Sequence, residues 1–318
     1  MDDKFLRSIS KKAGIAELGN ILIDKLKLPD LQSLLMHVYK EKTSKLNSSH
    51  VYNEYKNNHF VKPSSVKASD FISLDQKLFA ILPDDFETIV LSPLAPLGNC
   101  SVLAGVPQNL IVTTSRNTEV LADGTNLLAL ECARRREEML KKENKSVQRI
   151  KLATSCRHTR TQSFEGEGFS PHFSVFALTT AGRDEGSLIF ETDNLNEHIR
   201  FYLDIFEKIV QENSIKKIDV VILDYNTHDN EKIFRQIQKT VSGYKKAEVI
   251  IRQNSVEGKN YYTRLRFSIY VTTDKDETHM YTDGGFVNWT AKLLGNNKER
   301  LLTSAIGTEY LLKTIALK

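Results

Sequence analysis

The chain has 318 residues, 40% of them apolar, which is enough to fill the core of one large domain or two of ordinary size. Its 26% charged residues and formal net charge of +4 exclude an argument for nucleic-acid binding from global charge. Three well-separated cysteines, Cys100, Cys132 and Cys156, give neither a disulfide framework nor zinc spacing, so free thiols, no metal and a cytoplasmic location are expected. The acidic start Met1-Asp2-Asp3-Lys4 has no apolar run of signal-peptide length behind it, and no stretch reaches the roughly 20 apolar residues of a membrane span.

Residues 1 to 67 carry twelve Lys or Arg against seven Asp or Glu. Ile15, Leu18, Ile21, Leu22 and Leu26, and then Leu31, Leu34, Leu35 and Val38, have helical spacing. Pro29-Asp30 suits the first turn of the second helix. The polar run Thr43 to Lys67 reads as a linker or irregular cover. A boundary near residue 68 divides a helical N-terminal segment, 1-68, from a domain over 69-318. The basic bias suits a protein or RNA partner, and equally a solvated helix face.

Ser69 or Asp70 can cap a helix that carries Phe71, Ile72, Leu78 and Phe79 and stops at Pro83. Strands are expected at Glu87 to Pro93 and at Gln108 to Thr114, then a helix from Thr125 to about Lys142 whose end carries Arg134, Arg135 and Arg136. A strand at Arg149 to Thr154 precedes a long antiparallel hairpin, Arg157 to Gln162 and Phe173 to Thr180. Helices follow at Leu195 to Glu212 and Asn230 to Val241, with strands at Ile218 to Leu223, Ala247 to Arg252, Tyr261 to Thr272 and Met280 to Asp283. Leu301 to Ile306 and a helix from Gly307 end the chain. Many mostly antiparallel strands with helices between them make the class α+β.

Several short stretches have a recognisable order. Asp70 to Pro93 is a helix and a strand ending in proline. Leu121-Ala122-Asp123-Gly124-Thr125 is an acidic turn. Arg157-His158-Thr159-Arg160-Thr161-Gln162 is followed by a loop and by Phe173-Ser174-Val175-Phe176. Asn260-Tyr261-Tyr262-Thr263, Asp283-Gly284-Gly285 and Ala305-Ile306-Gly307-Thr308-Glu309-Tyr310 complete the set. In this order they resemble the catalytic domain of class II aminoacyl-tRNA synthetases, within it the histidyl-tRNA synthetase branch and the regulatory subunit of ATP phosphoribosyltransferase. The resemblance covers about residues 70 to 318.

What the resemblance implies is a pocket. Arg157, Thr159 and Phe173 would meet a nucleotide, the arginine through its planar two-bond fork and the phenylalanine through its face. Asp123, Thr125, Gln162, Tyr261 and Tyr262 would hold an amino acid. The residues themselves leave alternatives open: Asp123 and Thr125 also suit a turn and helix cap, Phe173 a core position, and alternation would turn only one of the two tyrosines inward. The resemblance further implies a homodimer through the 70-93 region, with no membrane role.

The departures bear on activity. Glu257 stands where histidyl enzymes have an arginine, Tyr310 where the third motif has one, Thr159 where the second motif has glutamate, and Val175 and Thr179 where histidine-holding Gln and Glu lie. Losing one phosphate contact costs about 3 kcal/mol at a transition state, so losing two nearly silences adenylation. Lys259, Arg264, Arg266 and Arg300 are the candidate substitutes, and Leu294 to Arg300 is a rival placement of the third motif. The end at Lys318 leaves no anticodon-binding domain in this reading. The expected function is therefore a non-charging paralogue that binds an amino acid or related small molecule. An active ligase on a non-standard substrate, using ATP with magnesium, and an RNA- or protein-binding scaffold are the alternatives.

Overall fold

The computed structural model describes residues 3–161, 170–225 and 229–318. The chain forms two compact units, Met1–Lys62 with Thr113–Glu119, and Pro63–Val112 with Val120–Lys318.

The first unit contains α1 (Asp3–Ala13), the single turn α2 (Leu18–Asn20) running on through Ile21–Lys25, α3 (Leu28–Thr43) and α4 (Ser48–Asn57). Helix α4 forms where the polar composition suggested a linker. The Asn47 side chain accepts from the His50 backbone N–H and the His50 ring accepts from the Asn47 N–H, so reciprocal capping starts a helix that apolar periodicity does not announce. Among the described residues of Met1–Lys62 none is buried.

In the second unit the order is α5 (Ala68–Ile81), β1 (Glu87–Thr88), β2 (Leu94–Pro96), β3 (Thr118–Val120), α6 (Gly124–Lys142), β4 (Ile150–Thr159), β5 (His172–Arg183), α7 (Ile189–Asp204), β6 (Ile215–Asp224), α8 (Glu231–Val241), β7 (Ala247–Arg252), β8 (Leu265–Thr273), β9 (Thr278–Val287), α9 (Trp289–Leu294), β10 (Glu299–Ile306) and α10 (Thr308–Thr314). Strand β3 begins at Thr118, within the segment grouped with the first unit. An eight-stranded sheet runs β1-β4-β5-β10-β9-β8-β6-β7. Its outer pairs β1–β4 and β6–β7 are parallel and the five between them antiparallel, which makes an α+β domain.

Strand alternation gives the sheet two apolar faces. From β5, Phe176 and Leu178 enter a core with Leu195, Ile199, Tyr202 and Phe206, whereas Ala177 and Ala181 meet Leu128, Ala129 and Cys132 of α6 on the opposite side. Helix α6 therefore covers one face near β4, β5 and β10. Arg136 fixes it there: fully buried, it donates to both Glu299 oxygens, at 2.8 and 3.0 Å, and to the Ser146 and Gln148 carbonyls. The three arginines thus lie within the helix rather than at a solvated end, and only Arg134 is exposed, between Glu131 and Glu138.

Other expectations shift. The segment Gln108–Leu110 is a helical turn, not a strand. The strand expected at Arg149 to Thr154 and the first arm of the hairpin from Arg157 are one strand, β4, which ends at Thr159, and β5 lengthens to Arg183. Strand β8 starts at Leu265, so Tyr261 and Tyr262 belong to the turn before it. Asp283-Gly284-Gly285 lies inside β9 rather than in a turn. A Cβ on Gly285 would fall 2.5 Å from the Leu265 carbonyl oxygen and 2.6 Å from Tyr262, so the bare backbone there makes room for the tyrosine.

Candidate functional site

At the N-terminal end of α6 the sheet face is left open as a cavity of about 480 Å³. The chain enters the helix through Asp123, whose Oδ1 accepts the Thr125 backbone N–H at 2.9 Å and the Thr125 hydroxyl at 2.8 Å. Its other oxygen, Oδ2, faces the Arg160 guanidinium at 3.5 Å. Arg160 also donates Nε to the Ala122 carbonyl at 3.0 Å and lies 5.4 Å from the Phe173 ring centre. Asp123, Thr125, Arg160 and Phe173 all line the cavity.

Tyr261 and Tyr262 close another wall, their rings edge to face at 4.7 Å. Alternation does not apply in a turn, so both reach the cavity. Tyr261 donates its hydroxyl to Asn126 at 3.3 Å, and Tyr262 donates to Asp283 at 3.1 Å. Burial pushes both phenols well above their ordinary range, with Asp123 adding at Tyr261 and Asp283 at Tyr262, so neither supplies a phenolate. Arg266 lines the same wall, but Asp283 at 2.7 Å and Glu257 at 2.6 Å hold its guanidinium.

His158 sits between these groups on β4. Its Nε2 accepts the Gly124 backbone N–H at 2.7 Å, with the Cys156 sulfur 3.4 Å away. A Cβ on Gly124 would lie 2.7 Å from that sulfur, so glycine is needed for helix and strand to come this close. Burial lowers the imidazole to about 4, against a raising influence of Asp123, and the ring is neutral at pH 7. Burial raises the Cys156 thiol to about 12, with Asp123 and Asp75 adding, so it carries no thiolate nucleophile.

The expected nucleotide residues divide. Phe173 is in the cavity; Arg157 and Thr159 are not among its lining residues. Arg157 leaves by the other face of β4, donating to His172 at 2.9 Å, to Ser174 at 2.9 Å and to the Glu309 carboxylate at 2.8 Å. In a strand, residues 158 and 160 share one side and residue 157 the other, so Arg160 stands in the cavity where Arg157 was expected. Gln162 lies outside the described residues. Tyr310 hydrogen-bonds the His279 ring at 2.8 Å, away from the cavity. Of the candidate substitutes, Arg264 is held by Asn230 and Arg300 by Asp184 and Glu191, and neither they nor Lys259 line it. His158 and Arg160 are the residues that sequence reasoning passed over. The alternating periodicity carried the signal, but nothing in the sequence said which set of side chains faces α6.

The architecture matches solved structures over about four fifths of the chain. An apo histidyl-tRNA synthetase from S. aureus superposes with a TM-score of 0.54 at 15% identity, over 79% of this chain and 68% of that one. An ATP phosphoribosyltransferase regulatory subunit/histidyl-tRNA synthetase from Bacillus halodurans gives 0.55 at 12%, over 80% of this chain and 82% of that one. This is a class II aminoacyl-tRNA synthetase-like fold. The RNA binding domain of threonyl-tRNA synthetase from Cryptosporidium parvum has the same fold, with a TM-score of 0.52 at 8% identity over 78% of this chain and 62% of that one. At such identities the likeness carries the synthetase-like fold and nothing finer. No protein-family model and no curated protein sequence matches the chain.

Proposed function

We propose that this class II synthetase-like chain binds an amino acid or a related small molecule in the cavity at the start of α6, in a binding or regulatory role, without activating it. The observation that carries this reading is the facing pair Asp123 and Arg160 in one cavity, 3.5 Å apart. A carboxylate and a guanidinium so placed suit the ammonium and carboxylate of a zwitterion, which can come between them and exchange one long ion pair for two direct ones. Thr125 holds the acidic side chain in place, Phe173 backs the guanidinium, and Tyr261 and Tyr262 enclose what lies between. Arg157, which the resemblance would place against a nucleotide, takes no part in this reading, and Arg160 meets the carboxylate of the ligand.

Activation needs more cations than this lining offers. A triphosphate with magnesium has to be met by several groups that are not already neutralised, and Arg266 is doubly paired with Asp283 and Glu257. The residues present do not fit that cofactor, and no step is derived through it. A homodimer through the 70-93 region accompanies the proposal, since α5 and the segment after it leave Ile72, Phe79, Val90 and Leu94 exposed. A protein or RNA partner for the N-terminal helices is supported by their exposed Phe5, Ile23, Met36 and Tyr39 beside the basic bias.

Calorimetry against the amino acids, and separately against ATP, tests the reading. One saturable amino-acid ligand without pyrophosphate exchange is the expected outcome. Silence across the amino acids, or amino-acid-driven exchange, would reject it, the second in favour of a working ligase.

A further inference from the structure

The His158 ring is buried, 2% exposed, and lines the cavity, yet its Nδ1 has no hydrogen-bond partner among the described residues. Its other nitrogen decides the tautomer. A backbone N–H can only donate, so Nε2, 2.7 Å from the Gly124 nitrogen, must be the unprotonated acceptor. A neutral imidazole that accepts at Nε2 carries its proton on Nδ1. The close approach permitted by Gly124 and the edge-to-face contact with Phe173, 5.5 Å between centres, hold the ring in that orientation. A fixed donor is therefore left without an acceptor in a buried ring that lines the cavity.

We infer that His158 presents its Nδ1–H to an acceptor atom of the bound ligand, a carboxylate, carbonyl or ring nitrogen, and is a specificity-determining residue of the cavity. This rests on the reading that the cavity holds a small amino-acid-like molecule. Asp123 then takes the ammonium, Arg160 an anionic group, and His158 a third, acceptor-bearing point. Such a site rejects ligands that lack the acceptor, because they would leave the donor buried and unmatched. The ionisable groups facing the ring are Asp123 from the start of α6, Cys156 from its own strand and Arg160 just past the end of that strand; Phe173 from β5 adds no charge. The lowered imidazole keeps this donor pattern unchanged across neutral and mildly acid pH.

The test is a nitrogen–proton NMR spectrum of the histidine rings in the full chain, with His158 assigned by its loss in His158→Gln. The expected spectrum at pH 7 shows a proton on Nδ1 and a bare Nε2. Each amino acid that binds by calorimetry should move the Nδ1–H resonance downfield, and His158→Phe, compared at a temperature where it is fully folded, should weaken that binding tenfold or more. If His158→Phe does not fold, the wild-type spectrum decides alone. A proton on Nε2, or saturable binding that leaves the Nδ1–H signal unmoved, would overturn the inference while sparing the amino-acid reading. If no amino acid binds, that reading falls, and acetate as a bare acceptor decides for His158: a saturable shift of its Nδ1–H sustains the donor, and no shift overturns it.

Discussion

Two arginines three residues apart, Arg157 on β4 and Arg160 just past its end, have opposite tasks. Arg157 is a packing residue whose guanidinium spans His172, Ser174 and Glu309, while Arg160 turns to Asp123 and the cavity. Arg160→Ala should weaken ligand binding roughly tenfold or more, the effect of one lost charge-assisted contact, and leave the melting temperature nearly unchanged. Arg157→Ala should do the reverse. It should cost about 1 kcal/mol in denaturant unfolding, because Ser64 and Lys313 still hold Glu309, and it should leave binding unaltered. The two buried histidines add a pH dependence. Burial lowers His158 to about 4 and His198 to about 3, below the 6.5 expected in the unfolded chain. Between those values the unfolded state binds more protons than the native one, so stability is full above about pH 6.5 and is lost as pH falls towards 4. Chemical unfolding measured from pH 7.5 to pH 4.5 should show that decline, and His158→Gln should make it shallower, with the share of His198 left in place.

The element scale shows where sequence reasoning succeeds and where it stops. Helix α8 and strand β7 are visible within a residue of their bounds because each has one unbroken period flanked by polar turns. The hairpin β4–β5 is legible for the same reason, and so is the Asp123 cap of α6. The orientation of β4 is not, since a slip of one residue turns every side chain over and leaves the pattern of letters intact. Tyr261 and Tyr262 were read as strand because aromatic pairs favour strands; the tight contacts of Gly285 and the start of β8 at Leu265 keep them in a turn, where both face the cavity. Arg136 lies in a run of arginines near a helix end, where positive charge is favourable in solvent, and its buried partner Glu299 lies 163 residues away, beyond what local pattern reveals. That pair makes a further prediction. Glu299→Ala strands a buried guanidinium and should cost about 3–5 kcal/mol, whereas Arg134→Ala, on the exposed side of the same helix, should cost under about 1 kcal/mol. Urea unfolding of the two variants separates them.

On the scale of the whole molecule, the two units contribute unequally. The described residues of Met1–Lys62 include no buried side chain, whereas the second unit contains both large apolar clusters and the cavity. Removing residues 1 to 62 should therefore lower the main melting transition by no more than about 4 °C, the shift that roughly 1 kcal/mol makes in a domain of this size. It should also leave cavity binding in place, and scanning calorimetry with and without ligand checks both. We propose that this class II synthetase-like fold keeps an amino-acid cavity whose ligand is held and not activated. Calorimetric titration of the amino acids into the wild-type chain, Asp123→Asn and Arg157→Ala, side by side, tests that most directly. The account predicts one saturating ligand per chain, lost in Asp123→Asn and retained in Arg157→Ala. No heat from any amino acid, or binding that survives Asp123→Asn and disappears with Arg157→Ala, would contradict it.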